Sequence, residues 1–505
     1  MPSAHIENLT ESLQRYSGVQ QLQTFEPSDV AADSIARLSN ARGDVTRLVR
    51  LWDDRESSWR ELVEGYAPQH HPAALSALRS VLEASLVIQW RNDGTPKTFL
   101  PFATELITSE RVSTVFRDLG RGVVEGLWGR PGFEDIRSKI AAKAASWRGR
   151  HPLAILLAPL CSKLATDAPT GDANLRAAIA TDPLLAQWVD TFVKQDWEAW
   201  LILADRMSAD EQFESMASLI GLHLHVAAMW RLGAEMDDAA RMRPCFFVEV
   251  EGHGQDPSCT RAANGSYGFW RERASAALRI VAALAVRDFC ATNENYRASL
   301  VASNWDAPRM WCGVPIESRG KRIKATDNFH KEVERRLTEG ATLRAVPEPG
   351  DVERIVIESL AEAFSGPSSA MVRLKDFYRK TGMAAGLVGP AGRTRKRYLL
   401  DERGIDLLAR LHAVRRDADI QTSEEDQKVV GAFVDDLAHR YGIVITTERS
   451  FVKDIVHTPA LRLLRVHFPS EKAMRRNADL LDRRLDALRL VRRYSDASSV
   501  IQVTL

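Results

Sequence analysis

The stretch that decides the fold of the last third of the chain is residues 392–408, which read GRTRKRYLLDERGIDLL. A glycine-flanked basic run comes first. It is followed by a strand that starts near Tyr398, by a polar turn, and by the first residues of an amphipathic helix. A strand, a turn and a helix in this order predict a small α+β module.

Two helices are predicted upstream of this stretch. Val352–Phe364 carries apolar residues at helical spacing and ends at the stop signal Ser365-Gly366-Pro367. The second helix, Ala370–Lys380, has apolar residues on one side and basic residues on the others, and Thr381-Gly382 makes the turn after it. The next element, Met383–Gly389, is short and contains glycine.

The pattern Tyr398-x-Leu400-x-x-x-Gly404-x-x-Leu407-Leu408 resembles the junction between the wing and the last helix of winged-helix transcription regulators. The resemblance covers residues 351–416 and implies a winged-helix domain that contacts DNA. Recognition helices of that family are longer and poorer in glycine than Met383–Gly389. We therefore expect contact through the wing rather than base reading by a helix in the major groove.

Positive charge is concentrated in this domain, although the whole chain has a formal charge of only +1. Residues 373–416 include twelve Lys or Arg and four Asp or Glu. Guanidinium groups on a loop can bind phosphates bidentately. The alternatives are a winged helix that binds protein and a solvated charged face. The DNA contacts predicted here are Arg379 and Lys380 on the second helix and Arg393, Arg395, Lys396 and Arg397 on the wing.

A second basic cluster lies near the end of the chain, where residues 449–493 include twelve Lys or Arg and five Asp or Glu. Leucines at 480, 481, 485 and 488 form one apolar face of a helix, so its arginines lie on the other face. That face is either a solvated surface or a second DNA contact. A helix at 424–441, a strand at 442–447 and a terminal strand at 499–505 complete this module. The DNA contacts predicted on the helix are Arg475, Arg476, Arg483 and Arg484.

The first two-thirds of the chain are predicted to be helical, because Leu, Ala, Arg and Glu are frequent and β-branched runs are rare. The clearest strand candidate is Cys245–Glu251. A polar loop at 252–268 and a long helix at 269–293 are expected after it. The overall expectation is a mainly α fold, with a helical N-terminal scaffold and a small α+β winged-helix-like C-terminal region.

A change in composition indicates a domain boundary near residues 347–350. All twelve tryptophans and all five cysteines lie between Trp52 and Cys312, and the segment Val346–Gly350 is rich in proline. We therefore expect residues 351–505 to fold as a fragment. The predicted domains are 1–165 (helical), 166–346 (helical, with the strand insert near 245–251), 351–416 (winged-helix-like) and 417–505 (helix-strand module).

Composition also limits the location of the protein. The longest apolar stretches are too short, or too interrupted by Arg279, to span a bilayer, and the N-terminus has no apolar signal region. The five cysteines form no CxxC pair, which is typical of buried thiols in a reducing compartment. We expect a cytoplasmic protein that has no membrane partner and no cofactor.

Three patterns suggest chemistry. Glu249 and Glu251 on the strand resemble the carboxylates of metal-dependent nuclease cores, but Glu251 stands where those cores place a lysine. His223 and His225 are two residues apart on a helix and point in different directions, which argues against zinc. The spacing Gly386-x-x-Gly389-x-x-Gly392 lacks the Lys-Ser/Thr ending of a phosphate-binding loop. None of the three predicts a catalytic residue, and a solvated acidic strand edge is the simpler interpretation of Glu249 and Glu251.

The sequence therefore predicts a non-enzymatic, DNA-associated scaffold or accessory subunit of a bacterial multiprotein system. Its partners would be the phosphate backbone of double-stranded DNA and other protein subunits. Residues 397–411 and 433–445 resemble the C-termini of uncharacterised proteins encoded in prokaryotic anti-phage defence loci, which implies a role in antiviral defence. The alternatives are a divergent metal-dependent nuclease that uses Glu249 and Glu251, and a protein-binding scaffold similar to kleisin subunits.

Overall fold

Helices predominate in the computed structural model, and the strands are two to four residues long. The fold is mainly α, as predicted. None of the helices among the described residues combines the length and the apolar character that a bilayer crossing requires. The structure describes residues 27–38, 42–43, 47, 50–84, 88–90, 96–98, 122–148, 152–166, 183–233, 244–252, 256–314, 322–363, 378–389, 396–419, 429–446, 469–493 and 499–501.

The first half of the chain is helical, as predicted. Within the described ranges of this half, two π-helical turns interrupt the α-helical pattern, at Gly122–Leu127 and at Val189–Val193. The helices are α1 (Pro27–Leu38), α2 (Glu56–Val63), α3 (His71–Ala84), α4 (Glu134–Arg148), α5 (Pro152–Leu164), α6 (Pro183–Trp188), α7 (Lys194–Ala204) and α8 (Ala209–Gly233).

The helices of the second half include one that is longer than predicted. Residues 257–268, expected to be a polar loop, are its first turns, so that it begins at Pro257 instead of near Phe269. Proline at the first turn is compatible with a helix start, because its missing N–H has no partner there. The helices are α9 (Pro257–Thr292), α10 (Glu294–Leu300), α11 (Arg322–Leu343), α12 (Asp351–Ala363), α13 (Glu402–Asp419), α14 (Val429–Tyr441) and α15 (Glu471–Ala487).

Eleven short strands form small sheets in the described part of the chain. Two antiparallel pairs lie in the first half: β1 (Arg42–Gly43) with β4 (Ala165–Thr166), and β2 (Ile88–Trp90) with β3 (Pro96–Thr98). The others are β5 (Phe246–Phe247), β6 (Glu249–Val250), β7 (Val388–Gly389), β8 (Arg397–Leu400), β9 (Ile443–Val444), β10 (Val491–Arg493) and β11 (Ser499–Ile501).

The predicted strand at 245–251 pairs with two distant segments. Its first half, β5, is parallel to β9, and its second half, β6, is parallel to β8. In turn β8 is antiparallel to β7, which gives a three-stranded sheet in the order β6-β8-β7. Both β5 and β6 are buried along their whole length, so this strand is not the solvated acidic edge expected from the sequence.

The chain divides into two compact units that differ from the domains expected from the sequence. The first unit comprises Met1–Gln23, Arg231–Arg241 and Gly268–Tyr378. The second comprises Thr24–Trp230, Met242–Tyr267 and Arg379–Leu505. The boundary expected near 347–350 falls inside the first unit, between α11 and α12.

The first unit has an apolar core that joins α11 to α12. Phe329, Val333 and Leu337 of α11 and Ile355, Val356 and Leu360 of α12 are buried in one cluster with Trp311. The indole N–H of Trp311 donates to the Ser299 hydroxyl at 2.9 Å. An ion pair between Arg336 and Glu358 also links the two helices. The proline-rich segment before Asp351 is therefore a short connection within one core.

The second unit positions its C-terminal helices against α7, α8 and the buried strands. Trp188 donates from its indole N–H to the Arg440 carbonyl oxygen at 2.8 Å, although 252 residues separate them in the chain. Gly442 has a φ of +73°, and a Cβ at this position would clash with the Pro244 carbonyl. Only glycine fits this close approach, which sets the register of β9 beside β5.

The strand–turn–helix order predicted around residue 400 is confirmed. Strand β8 ends at Leu400, and helix α13 begins at Glu402. The Asp401 carboxylate accepts a hydrogen bond from the Gly404 N–H at 2.9 Å, which caps the start of the helix. Residues 383–384 complete a helix that starts before them, and 388–389 form β7. No separate helix thus begins within Met383–Gly389, and the predicted turn at Thr381-Gly382 is helical.

Candidate nucleic-acid interface

Helix α15 carries the predicted cations Arg475, Arg476, Arg483 and Arg484. The hydroxyl of Ser470 caps its first turn by accepting from the Ala473 N–H. Its inward side is buried at Ala473, Met474, Asn477, Leu481 and Leu485. The helix is therefore amphipathic, as predicted, and its polar face is turned to solvent.

Asn477 holds α15 against the strands. Its side-chain oxygen accepts from the Val250 N–H at 2.9 Å. Its side-chain nitrogen donates to the Val248 carbonyl at 3.0 Å and to the Ile445 carbonyl at 3.1 Å. The buried side-chain amide of Asn477 thus forms hydrogen bonds with backbone groups at β6 and beside β9. These bonds fix the position of the helix and of its outer face.

Arg484 and Arg476 contact groups of other elements of the protein. The Nε of Arg484 donates to the Glu251 carbonyl at 2.8 Å in a half-buried position. Arg476 lies 3.4 Å from the Asp256 carboxylate and keeps 58% of its side chain exposed. Arg484 therefore supports the docking of the helix, whereas Arg476 remains accessible from solvent.

The remaining cations of α15 face outward. Lys472, Arg475 and Arg483 are exposed. The exposed acidic residues Glu471, Asp479 and Asp486 lie on the same helix, so the face is mixed in sign with an excess of positive charge. The positive side chains are thus grouped near the first turns and again near the end of the helix.

Arg397 is not an exposed wing residue, contrary to the expectation from the sequence. Its Nε donates to the Glu249 carboxylate at 2.5 Å, and only 16% of the Arg397 side chain is exposed. The second carboxylate oxygen of Glu249 accepts from the Thr260 hydroxyl at 2.6 Å. Because Arg397 is on β8 and Glu249 on β6, the ion pair joins two neighbouring strands.

The other cations predicted near the wing lie around the β7–β8 hairpin. Arg379 and Lys380 are half-buried in the helical segment 378–384, and Lys396 is half-buried directly before β8. Burial, together with the positive charge of Arg379, lowers the pKa of Lys396. Arg379 and Lys396 are therefore close enough to repel each other. Arg393 and Arg395 lie outside the described residues.

The carboxylate of Glu249 is poorly placed for a nuclease site. It is 1% exposed, and both of its oxygens accept hydrogen bonds from protein side chains. Glu251 is half-buried after the end of β6. Within the described ranges, His, Cys, Asp and Glu form no group of three that could hold a metal ion.

The two histidines of α8 have separate environments, as their spacing predicted. The His223 Nε2 lies 3.0 Å from Asp196. The two ring nitrogens of His225 lie 3.2 Å from the Thr381 and Tyr398 hydroxyls. Complete burial lowers the pKa of His225 to about 3, so its ring is neutral at physiological pH.

A buried charge network was not predicted from the sequence. Arg415 donates to Asp196 and to Asp436, each at 2.6 Å. Tyr441 donates to Asp196 at 2.8 Å, and Arg440 donates to the second oxygen of Asp436 at 2.5 Å. The network links α7 to α13 and α14. One feature of the sequence could have indicated this network. Arg415 lies at helical spacing from Leu408 and Leu411, on the apolar face of its helix, where a charged residue needs a buried partner.

Two members of this network, Asp436 and Tyr441, have pKa values shifted by their neighbours. Burial alone would raise the pKa of Asp436, but the hydrogen bond from His412 and the positive charges of Arg415 and Arg440 outweigh it and hold that pKa below its usual range. Burial and the neighbouring Asp196 raise the pKa of Tyr441 well above its usual range. Every charged member therefore has a partner, and the network is a structural core for the second unit.

Comparison with family models, with curated proteins and with solved structures finds no match for this chain.

Proposed function

We propose that this protein binds double-stranded DNA through the outward face of α15, without sequence preference. The observation that carries the proposal is that α15 has one buried side and one exposed side that carries cations. Its apolar side and Asn477 are buried, whereas Lys472, Arg475 and Arg483 are exposed. A helix that is anchored so firmly presents its cations at fixed positions.

The length of this face suits a phosphate backbone. Lys472 and Arg483 are eleven residues apart, which corresponds to about 16 Å along a helix. Duplex DNA carries one negative charge for about every 1.7 Å of its axis. Several phosphates thus lie within reach of the face. Contacts of this kind give affinity that depends on salt and carry no base information.

The half-buried cations Arg379 and Lys396 beside the β7–β8 hairpin add positive potential to the second unit. Arg397 is not part of this proposed contact, because Glu249 neutralises it.

Without a described catalytic group beside these cations, we propose an accessory role. The protein would be a non-enzymatic cytoplasmic subunit that binds DNA and other proteins, in a bacterial system such as antiviral defence.

A charge-matched pair of triple variants tests the proposal. The first variant is Lys472→Gln, Arg475→Gln and Arg483→Gln. The control is Arg60→Gln, Lys139→Gln and Arg335→Gln, which removes exposed cations from other helices. Affinity for a 30-base-pair duplex would be measured for the full chain between 50 and 300 mM salt. Each lost phosphate contact should reduce the slope of log affinity against log salt by about 0.9.

We expect the first variant to lose affinity and salt dependence, and the control to bind like the wild type. Equal losses in the two variants would mean that the interaction reflects net charge and not the α15 face. Absence of wild-type binding at 50 mM salt would overturn DNA as the partner.

A further inference from the structure

Arg489, two residues after α15, has an unusual backbone conformation. Its φ is +56°, and among the described residues it is the one non-glycine residue with a positive φ. In this left-handed region the Cβ of an L-residue is too close to the backbone carbonyl oxygen, so glycine is favoured and arginine is strained. Such residues often persist at sites where the side chain itself is needed.

The strained residue closes the helix in a Schellman motif. The Leu490 N–H donates to the Leu485 carbonyl at 2.9 Å, and the Arg489 N–H donates to the Asp486 carbonyl at 2.9 Å. In this motif the residue at the position of Arg489 must be left-handed, and it is usually glycine. Leu485 and Leu490, on either side of the turn, are buried. The end of the helix therefore requires the conformation but does not require an arginine.

The Arg489 side chain does not offset this strain within the fold. It is exposed, and the structure shows no ion pair or side-chain hydrogen bond between it and the other described residues. Attraction between its charge and the last carbonyl groups of the helix is screened by solvent at such a position. The fold thus gains little from an arginine where glycine would be unstrained.

We propose that Arg489 is a phosphate-contacting residue of the DNA-binding face, retained for its charge in spite of the backbone strain. The inference rests on the proposed DNA binding and extends that face beyond the end of the helix. Arg489 lies six residues after Arg483 and two residues before β10. Because its side chain is exposed, Arg489 adds a cation just after the end of α15.

The variants Arg489→Gly and Arg489→Lys of the full chain test this inference. Arg489→Gly removes both the charge and the strain. We expect it to melt at the same temperature as the wild type or a few degrees higher, while its affinity for a 30-base-pair duplex at 100 mM salt falls about three- to tenfold. The salt slope should also decrease by about one. Arg489→Lys keeps the charge and the strain, and it should keep both the wild-type affinity and the wild-type melting temperature.

The outcomes separate this inference from the function on which it rests. If the wild type binds DNA, the α15 triple variant binds weakly, and Arg489→Gly binds like the wild type, then the Arg489 contact is wrong and the proposed function stands. A lower melting temperature for Arg489→Gly would assign Arg489 a role in stability and overturn the inference. If the wild type does not bind the duplex, the proposed function and this contact both fail.

Discussion

At the scale of single residues, His225 shows how burial alone sets a protonation state. Its ring is enclosed by Phe246, Tyr398 and Thr381, and both nitrogens face hydroxyl groups. Burial is the cause that lowers its pKa, because a charged ring would lose its hydration there. Protonation of this residue is therefore linked to unfolding.

We predict that His225 makes the protein less stable in acid. Burial lowers the folded-state pKa to about 3, whereas an unfolded histidine titrates near about 6.5. Between these values the unfolded chain binds one more proton, so the contribution is complete above pH 6.5 and is lost as the pH falls toward 3. The free energy of unfolding should decrease by about 1.4 kcal/mol per pH unit in this window from His225 alone.

The variant His225→Gln should have a shallower dependence of stability on pH. Urea unfolding at several values between pH 7 and pH 4 would measure the difference between the wild-type and variant curves. Curves that stay parallel over the whole range would show that the pKa of His225 is the same in the folded and the unfolded protein, and would contradict this prediction.

The sequence did not predict the buried roles of two arginines, Arg397 and Arg415. The run from Arg393 to Arg397 looks uniform, but β-strand alternation and the partner Glu249 make its last member structural. Arg415 is read as one more basic residue unless its place on the apolar face of α13 is considered. In both cases the missing information is the identity of the facing residue, which lies far away in the chain.

At the scale of elements, β6 and β8 are joined by both backbone pairing and the Glu249–Arg397 ion pair. We predict that Arg397→Gln destabilises the protein by about 3 kcal/mol, because it leaves the buried Glu249 carboxylate without its counter-charge. The double variant Glu249→Gln with Arg397→Gln should recover part of this loss. Denaturant unfolding would give the free energies, with the exposed Arg403→Gln as the matched control.

This result would also separate a structural from a catalytic role for the strand. A stability equal to the wild type in Arg397→Gln would mean that Glu249 tolerates burial without its partner. In that case the alternative of a reactive carboxylate at Glu249 would regain weight.

Local elements were predictable because their signals are local. The β8–α13 junction, the amphipathic α15 and the strands at 245–251 and 499–501 could be inferred from apolar spacing and turn residues. The extension of α9 back to Pro257 was missed because glycine, serine and asparagine in its first turns resemble a loop. The parallel pairings of β5 and β6 were missed since no local pattern identifies a partner strand.

At the scale of the whole molecule, the C-terminal region shares its strands with the segment at 245–250. We predict that residues 351–505 alone do not fold cooperatively, in contrast to the expectation from composition. Without residues 183–250, strands β8 and β9 lose β6 and β5, and Arg415 and Tyr441 lose Asp196. Circular dichroism during heating should show no sharp transition for this fragment, while the full chain should show one.

A longer fragment provides the control for this experiment. Residues 183–505 restore both strand partners and Asp196, so they should regain a cooperative transition. A sharp transition for 351–505 would show that the parallel strand pairs contribute little to the stability of the C-terminal region.

The parallel pairing of β5 with β9 also has a consequence for synthesis in the cell. Val444 follows Phe247 by 197 residues, and ribosomes add about 5–20 residues per second. The nascent strand at 246–250 therefore waits about 10–40 s for its partner, with its apolar side chains and unpaired amides uncovered. During this interval it is a target for chaperones and for strand pairing between neighbouring nascent chains, so slower translation of the last third should increase aggregation.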